Sequence, residues 1–439
     1  MSATLALRNS DIADCVAEAR KRYQSARPKS AALHAEARDV MPGGSTRSVL
    51  SYGPFPTAME RGSDCRLWDI DGHEYLDLCG EYTAGLFGHS EPRILEALHA
   101  ALARGLNLAA VGHGEARLAR LLTDRFPSLD LVRFTNSGTE ANLMAVTAAR
   151  AFTKRAKIMA FRGAYHGGVL TFPIGGPSAA TAPFPTVMAD YNDMHGAVAL
   201  IKEHAADLAA VIVEPMLGSG GCIVGQQEFL AGLREATRAA GIVLIFDEVM
   251  TSRMSGGGLQ ERFGIVPDMT ALGKYMAGGM SFGAFGGRAD IMAQFVSDLP
   301  HAGTFNNNVL SMAGGGVALG EIFTPDCAEA LFQRGESLRH GLNEICRAAD
   351  VPMHFTGIGS MLTAQFRCGP IERPAPSTPA EEGVRELFFF DMLEAGIYLA
   401  RRGMVALSLP VGEADLDRYR QAVAEFVRSR APLLREAGA

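Results

Sequence analysis

The chain of 439 residues lacks several features that mark whole classes of protein. It contains no block of lysine and arginine, and its formal net charge is −7, which argues against a general nucleic-acid or anionic-membrane binder. Its apolar runs are too short to span a membrane, and charged residues occupy the N-terminal stretch where a secretory signal would need an apolar core. We therefore expect a cytoplasmic protein whose partners are small molecules.

Cysteine pairing is also missing. The seven cysteines are odd in number, scattered, and never spaced as C-x-x-C, so neither a disulfide framework nor a metal site is indicated. There is no internal repeat. With 48% hydrophobic and 20% charged residues, the composition is that of a globular chain long enough for two domains.

Strand and helix patterns alternate from about Leu131 to Arg288, which predicts an α/β fold with a mainly parallel sheet and helices on both faces. The run from Ile242 to Phe246 is apolar without alternation, as is typical of a strand buried on both faces. We predict an N-terminal segment of residues 1–60, a large domain of residues 61–320 and a smaller α+β domain of residues 321–439.

Two residues at strand ends suggest a cofactor. Asp247 ends one apolar run and Lys274 follows another, and ligands of open α/β sheets bind just beyond the carboxyl ends of the strands. In pyridoxal phosphate enzymes a lysine binds the cofactor aldehyde, while an aspartate keeps the pyridine nitrogen protonated. A lysine in a loop is more often only a solvated cation, so the remaining motifs decide.

A small polar turn after the strand at residues 131–135 leads into a helix. The backbone amides of Ser137, Gly138 and Thr139, with two hydroxyls beside them, form an anion site suited to a phosphate. A plain helix cap is the alternative, but a cap needs only one of these residues. Tyr165, on a glycine-flanked loop, is a candidate to stack on a flat ring, or else a core tyrosine.

Three further residues are candidates for substrate contact. Arg47 follows a Pro-Gly-Gly turn, and Arg402 precedes an apolar strand near the C-terminus. Each is either a solvated surface charge or a ligand for a carboxylate. Tyr82 lies on a glycine-spaced loop and either packs in the core or lines the entrance of a site.

Six motifs, taken together, resemble those of one enzyme family, the class III pyridoxal-phosphate aminotransferases, in order and approximate spacing. They are Ser137-Gly138-Thr139, Tyr165-His166-Gly167, Glu214-Pro215, Asp247-Glu248-Val249, Gly273-Lys274 and Gly303-Thr304. The resemblance covers most of the chain. It implies a fold-type I homodimer with shared active sites, in which a small α+β domain is formed from both termini.

The resemblance also implies a role for each motif. Lys274 would bind pyridoxal 5'-phosphate covalently and carry protons, and Asp247 would pair with the pyridine nitrogen between Val249 and Tyr165, which pack on the two ring faces. The remaining implied cofactor contacts are Ser137, Gly138 and Thr139 on the phosphate, Glu214 in the same site, and Thr304 on the phosphate of the partner subunit's cofactor.

Within the family, the chain is most similar to the β-amino-acid transaminases of the glutamate-1-semialdehyde aminomutase-like branch. The implied reaction moves the amino group of an aromatic or bulky apolar β-amino acid to a 2-oxo acid, with Arg47 and Arg402 holding carboxylates and Tyr82 beside them. One alternative is glutamate-1-semialdehyde 2,1-aminomutase. Another is a protein that keeps the fold for binding alone, against which the intact Lys274 and Asp247 argue. Arg253 departs from the pattern of many relatives, and we assign it no role.

Overall fold

The computed structural model describes residues 11–438, so the first ten residues of the predicted N-terminal segment lie outside it. A seven-stranded sheet forms its centre, and all of its strands are parallel except Gly283–Gly287. The prediction of a mostly parallel sheet is confirmed. In spatial order the strands are Leu131–Thr135, Gly283–Gly287, Met269–Gly273, Val243–Asp247, Leu208–Val213, Lys157–Phe161 and Thr186–Ala189.

The strand Val243–Asp247 is buried on both faces, as its unbroken apolar sequence predicts. Val243 and Ile245 pack into one core with the helix Gly138–Thr153. Leu244 and Phe246 point to the opposite face, where the core includes side chains of another helix, because successive side chains of a strand alternate between its faces. Asp247 therefore lies at the carboxyl end of a central strand whose position is fixed by packing on both faces.

The antiparallel strand Gly283–Gly287 is not indicated by hydrophobic pattern, because three of its five residues are glycine. Packing explains the composition. A Cβ atom at Gly283 would lie 2.1 Å from the carbonyl oxygen of Ser137, and one at Gly286 would lie 2.4 Å from that of Leu131. Only glycine permits this approach of the backbone, which holds the turn at residues 136–138 against the sheet.

Helices cover both faces and the flank of the sheet. Their bounds are Pro92–Arg104, His113–Arg125, Gly138–Thr153, Met194–Glu203, Gln227–Ala240, Gly258–Phe263, Ala289–Met292, Gln294–Ser297 and Val309–Val317. A π-helical turn, Ala318–Ile322, follows the last of these helices.

Both ends of the chain contribute to a second region, as the resemblance implies. The N-terminal helix Ile12–Ala26 packs against Pro379–Glu394, and strand Glu74–Asp77 pairs in parallel with Ile397–Tyr398. The other helices of this region are Pro28–Val40, Pro325–Ala348 and Glu413–Ala437. Its remaining strands are Met59–Ser63, Arg66–Asp69, His354–Ile358, Met361–Gln365 and Met404–Ala406. The domain bounds at residues 60 and 320 stay a prediction.

The last helix of the described chain is Glu413–Ala437. It continues through Pro432, where buried Leu433 and Leu434 anchor the final turn in the core. Short two-stranded ribbons and 3₁₀ turns complete the fold, at Ala164–Tyr165 with Thr171–Phe172, Met216–Leu217 with Ile223–Val224, Pro42–Gly44, Ser48–Leu50, Gly80–Thr83, Thr251–Met254 and Lys274–Ala277. Within residues 11–438, no helix combines the length and the apolar character needed to cross a membrane.

Glu248, next to Asp247, belongs to the scaffold. Its side chain is fully buried and accepts hydrogen bonds of 2.8 Å from the backbone N–H groups of Leu259 and Gln260 and from the hydroxyl of Thr251. Burial raises the pKa of its carboxyl group. Glu248 thus ties the chain after the central strand to the start of helix Gly258–Phe263.

We expect Glu248→Ala to lower the free energy of unfolding by about 2–5 kcal/mol, since two buried N–H groups lose their acceptor. The midpoint of thermal unfolding, followed by circular dichroism at one scan rate, measures the change. Glu235→Ala, at an exposed position of helix Gln227–Ala240, is the control. Equal midpoints for the two variants would contradict this role of Glu248.

Candidate active site

Lys274 lies beside Asp247 because their strands are neighbours. The strands pair in parallel, with Asp247 opposite Ala271, and Lys274 follows three residues later with a left-handed φ of 60°. The pKa of Lys274 is lowered to about 8, chiefly by burial and also by the positive charges of Arg402 and Arg47, against the opposing charges of Asp247 and Glu81. A neutral, nucleophilic amine is therefore accessible near neutral pH.

Asp247 is 5% exposed and is held from three directions. Its Oδ2 atom lies 2.8 Å from His166 Nδ1 and accepts a 2.8 Å hydrogen bond from Asn142 Nδ2. Its Oδ1 atom accepts from the backbone N–H of Val249 at 3.0 Å. A buried carboxylate fixed in this way suits a cationic partner such as a protonated pyridine nitrogen.

His166 and Asn142 are functional residues that sequence analysis missed. Both are buried, and His166 Nε2 and Asn142 Oδ1 find no hydrogen-bond partner within residues 11–438. His166 stood inside a recognised motif, and Asn142 follows Gly138 by four residues on the same helix face. These two signals mark His166 and Asn142 as candidates for the site, but neither signal shows their contact with Asp247.

Glu214 is buried and holds two loops of the site through hydrogen bonds to their backbone. Its carboxylate accepts the backbone N–H of Tyr165 at 2.9 Å through Oε1 and that of Gly218 at 2.9 Å through Oε2. Burial raises its pKa, as does the nearby charge of Asp247, while His166 opposes the shift. Glu214 thereby fixes the loop that carries Tyr165.

The predicted phosphate turn lies next to Lys274. Ser137 begins the helix Gly138–Thr153, and its hydroxyl accepts the N–H of Glu140 at 3.2 Å. A Cβ atom at Gly138 would lie 2.8 Å from Val249 Cγ2, and one at Gly273 would lie 3.4 Å from both the Gly138 nitrogen and Val249 Cγ1. The N-terminus of the helix, the side chain of Val249 and the end of the strand before Lys274 are therefore in contact.

Thr139 and Tyr165 lie on the other side of the same turn. The hydroxyl of Thr139 accepts the N–H of Gly168 at 3.3 Å, which connects the phosphate turn to the loop after Tyr165. Tyr165 itself is 43% exposed, so it is not a core tyrosine. Its ring is available to a ligand at the mouth of the site.

Thr304 lies on the exposed loop before the helix Val309–Val317. The loop reaches the phosphate turn through Asn306, whose Oδ1 accepts a 3.0 Å hydrogen bond from Asn136 Nδ2. The structure therefore places Thr304 near the rim of the site without bringing it into the set formed by Lys274 and Asp247.

Tyr82 connects the two predicted substrate arginines. Its ring is buried, and the guanidinium carbons of Arg47 and Arg402 lie 5.2 Å and 5.3 Å from its centroid. Arg47 also pairs with Glu81. The Nε atom of Arg402 is buried and has no hydrogen-bond partner within residues 11–438, so Arg402 retains unused donor capacity close to Lys274.

Two neighbouring arginines have other tasks. Arg401 Nη2 bonds Glu386 at 3.1 Å, so Arg402, and not Arg401, lies beside Tyr82. Arg253 is fully buried, and its Nε donates to Ser360 Oγ at 2.9 Å while Nη2 bonds the carbonyl oxygen of Leu407. Arg253 therefore links the chain after the central strand to the C-terminal region.

The residues fit pyridoxal phosphate. A helix N-terminus with hydroxyls suits its phosphate, the lysine of lowered pKa suits its aldehyde, and the fixed carboxylate of Asp247 suits its ring nitrogen. Across residues 11–438, no cluster of three or more His, Cys, Asp or Glu side chains is placed to hold a metal ion.

Comparison with known proteins gives consistent matches. The model of the class-III aminotransferase family matches residues 49–411. The chain is 49% identical over 427 residues to a β-phenylalanine transaminase of Variovorax paradoxus, across 96% of this chain and 98% of that protein. It is 37% identical to a glutamate-1-semialdehyde 2,1-aminomutase of Desulforudis audaxviator, across 91% and 98%.

Solved structures of transaminases superpose closely on this chain. A β-phenylalanine aminotransferase from Variovorax paradoxus superposes with a TM-score of 0.95 at 49% identity, covering 96% of this chain and 99% of that one. A transaminase with bound pyridoxal phosphate superposes with a TM-score of 0.84 at 33% identity, covering 93% and 99%. The chain belongs to the class-III aminotransferases, the fold-type I transaminases that use pyridoxal phosphate.

Proposed function

We propose that this enzyme moves the amino group of a β-amino acid with an aromatic or bulky apolar side chain, such as β-phenylalanine, to a 2-oxo acid such as 2-oxoglutarate or pyruvate. The observation that carries the proposal is the arrangement of Arg47 and Arg402 about Tyr82 beside Lys274. The 49% identity to a β-phenylalanine transaminase supports it.

Geometry connects the arginines to the substrate class. In a β-amino acid the carboxylate lies one carbon farther from the amine than in an α-amino acid. Once the amine is fixed at the cofactor, the cation that holds the carboxylate must lie farther off in the pocket. An arginine suits this task, because its planar fork holds a carboxylate with two hydrogen bonds. We assign the carboxylate of the β-amino acid to Arg47.

Arg402 is assigned to the acceptor's carboxylate, and it must leave when an apolar side chain occupies the same space. A cavity of about 310 Å³ adjoins it, lined also by Val49, Tyr82, Arg385 and Glu386. The cavity offers room for the guanidinium group, with the carboxylate of Glu386 on its wall. Arg402 can thus serve two substrates in turn.

The cofactor contacts are assigned as the motifs imply. Ser137, Gly138 and Thr139 hold the phosphate, Val249 and Tyr165 enclose the ring, Glu214 fixes the loop of Tyr165, and Asp247 stabilises the protonated ring nitrogen. The bound cofactor supplies an electron sink for the substrate. Lys274 would hold the cofactor through its aldehyde, and its amine, once free, would carry the proton that leaves the amine-bearing carbon of the substrate across the conjugated system of substrate and cofactor.

We infer a homodimer with shared sites. Several large apolar side chains are exposed between residues 95 and 111, of which Val111 is 90% exposed, and Phe305 beside Thr304 is 56% exposed. Asn307 joins these segments by donating to the carbonyl oxygen of Ala110 at 3.2 Å. A second copy of the chain would cover this surface and bring Thr304 to the phosphate of its neighbour's cofactor.

We also propose that the enzyme is located in the cytoplasm. The seven cysteines are all free, and four of them are buried, as expected for a chain kept in a reducing compartment.

The alternative is glutamate-1-semialdehyde 2,1-aminomutase, which the 37% identical relative favours. That enzyme moves an amino group within one molecule and needs no acceptor. Turnover of β-phenylalanine only when 2-oxoglutarate or pyruvate is added would support the transaminase. Conversion of glutamate-1-semialdehyde without an acceptor would support the aminomutase.

The pH dependence of cofactor attachment tests Lys274. The neutral amine attacks the aldehyde, so the rate constant for covalent binding of pyridoxal phosphate to the apoenzyme should rise about tenfold per pH unit below 8 and level off above it. Stopped-flow absorbance measures this rate. Arg402→Ala should move the midpoint to higher pH, because one of the charges that lower the pKa is removed, whereas Arg401→Ala should not. A midpoint near the ordinary lysine value would contradict the assignment.

Steady-state kinetics test the arginines. Arg47→Ala should raise the KM for β-phenylalanine by roughly 10- to 150-fold, since a charge-assisted contact contributes about 1.5–3 kcal/mol. Arg402→Ala should impair 2-oxoglutarate more than β-phenylalanine. Arg401→Ala is the control for loss of a nearby positive charge. Small and equal effects of both variants on both substrates would refute the two-arginine assignment.

Oligomeric state tests the shared site. We expect Val111→Asp to produce a monomer with little activity, because it places a charge on the apolar surface, and sedimentation velocity measures its mass. Val296→Asp, at a position 87% exposed elsewhere on the surface, is the control. Thr304→Ala should keep the dimer but weaken retention of the cofactor during dialysis. A fully active monomer would exclude the shared site.

A further inference from the structure

The turn Gly80–Thr83 has an unusual backbone. Four consecutive residues have positive φ, with values of 53° at Gly80, 44° at Glu81, 53° at Tyr82 and 83° at Thr83. L-residues avoid this region because the side chain crowds the following carbonyl oxygen. Three non-glycine residues in a row therefore require support from the surrounding structure, and such strain is concentrated at functional sites.

The support comes from the scaffold beneath the turn. Asp77 Oδ1 accepts the backbone N–H groups of Cys79 and Gly80 at 2.9 Å and 3.0 Å. The N–H of Gly85 closes the turn by donating to the carbonyl oxygen of Gly80 at 2.8 Å. A Cβ atom at Gly80 would lie 3.1 Å from the carbonyl oxygen of Ala406. The turn is thus fixed against the C-terminal region in the conformation that it has.

This conformation turns Glu81 and Tyr82 toward the arginines. The ring of Tyr82 is buried, and the guanidinium groups of Arg47 and Arg402 both lie close to it. The side chain of Glu81 is exposed and pairs with Arg47. The turn therefore supplies an aromatic surface that positions both arginines and a carboxylate that occupies one of them.

The ion pair between Arg47 and Glu81 can open, so that another carboxylate takes the place of Glu81 on Arg47. Its side chains are 43% and 57% exposed, and ion pairs in contact with water are weak. The pair that Arg20 forms with Glu386 is different, since the carboxylate is 8% exposed and receives two hydrogen bonds from that arginine. Glu81 has solvent beside it into which its carboxylate can move, while Tyr82 retains the guanidinium group of Arg47.

We propose that Glu81 is a specificity-determining residue whose carboxylate stands in for the substrate's carboxylate on Arg47 and is displaced when that substrate binds. The proposal rests on the assignment of Arg47 in the proposed function. Any ligand with a carboxylate must exchange with Glu81, whereas a ligand without one leaves the pair in place. Glu81 therefore sets how strongly the site favours carboxylates over neutral compounds of the same shape.

Binding of 3-phenylpropanoate to the holoenzyme tests the exchange. This compound has the phenyl ring and carboxylate of β-phenylalanine without the amine, so it binds without reacting, and isothermal titration calorimetry gives its Kd. Glu81→Gln preserves the shape of the side chain and removes the competing charge, and we expect it to lower the Kd about two- to fivefold, the range of an exposed ion pair. The Kd of the neutral 3-phenylpropanamide should not change.

Two further variants serve as controls. Glu321→Gln removes the charge of a similarly exposed pair, in which Glu321 lies 3.1 Å from Arg117, and it should leave the Kd of 3-phenylpropanoate unchanged. In an Arg47→Ala background, Glu81→Gln should no longer strengthen binding, because the contested cation is gone.

The outcomes distinguish a failure of the Arg47 assignment from a failure of the proposed exchange with Glu81. If Arg47→Ala binds 3-phenylpropanoate as tightly as the unaltered enzyme, the assignment of Arg47 fails and Glu81 loses its role with it. If Arg47→Ala weakens binding but Glu81→Gln leaves the Kd unchanged or raises it, Arg47 keeps its assignment and the exchange is overturned. Equal strengthening by Glu321→Gln would attribute the effect to net charge and would also overturn it.

Discussion

The site depends on the carboxylate of Asp247, which is buried and held by hydrogen bonds to both of its oxygen atoms. A buried carboxylate is costly unless hydrogen bonds or a cation compensate it. Here His166, Asn142 and the backbone of Val249 hold its two oxygen atoms. These three donors come from a loop, a helix and the chain after the central strand. Fixing one carboxylate therefore brings together the elements from which the cofactor site is built.

Glycine allows the same elements to approach. The phosphate turn, the strand before Lys274 and the antiparallel strand Gly283–Gly287 lie closer together than side chains permit. The N-terminus of the helix that begins at Gly138 thus lies near the carboxyl ends of the strands Val243–Asp247 and Met269–Gly273. The charge that lowers the lysine pKa comes from farther away, from Arg402 and Arg47. The two arginines that we assign to the substrate are therefore coupled electrostatically to Lys274.

Much of this could be predicted from the sequence, because the strongest signals are local. An unbroken apolar run, Ile242 to Phe246, indicates a strand covered on both faces, and small polar residues at 137–139 indicate the start of a helix, which the structure has at Gly138. The strand at residues 283–287 could not be predicted, because its glycines are required by the close approach of the carbonyl oxygens of Ser137 and Leu131 and do not form a strand pattern. The contacts of His166 and Asn142 with Asp247 join residues 81 and 105 positions apart, and no periodicity reports such a contact.

The arginines show why composition alone does not assign roles. Arg47, Arg253, Arg401 and Arg402 carry the same group, yet the structure gives each a different set of partners. Arg253 is buried on neutral oxygens and Arg401 is committed to a buried carboxylate. Arg402 keeps a buried donor without a partner within residues 11–438, and Arg47 is held only by an exposed carboxylate and an aromatic ring. A cation is free to recognise substrate to the extent that its present partners are weak, and by that criterion Arg47 and Arg402 are the pair that the fold leaves open.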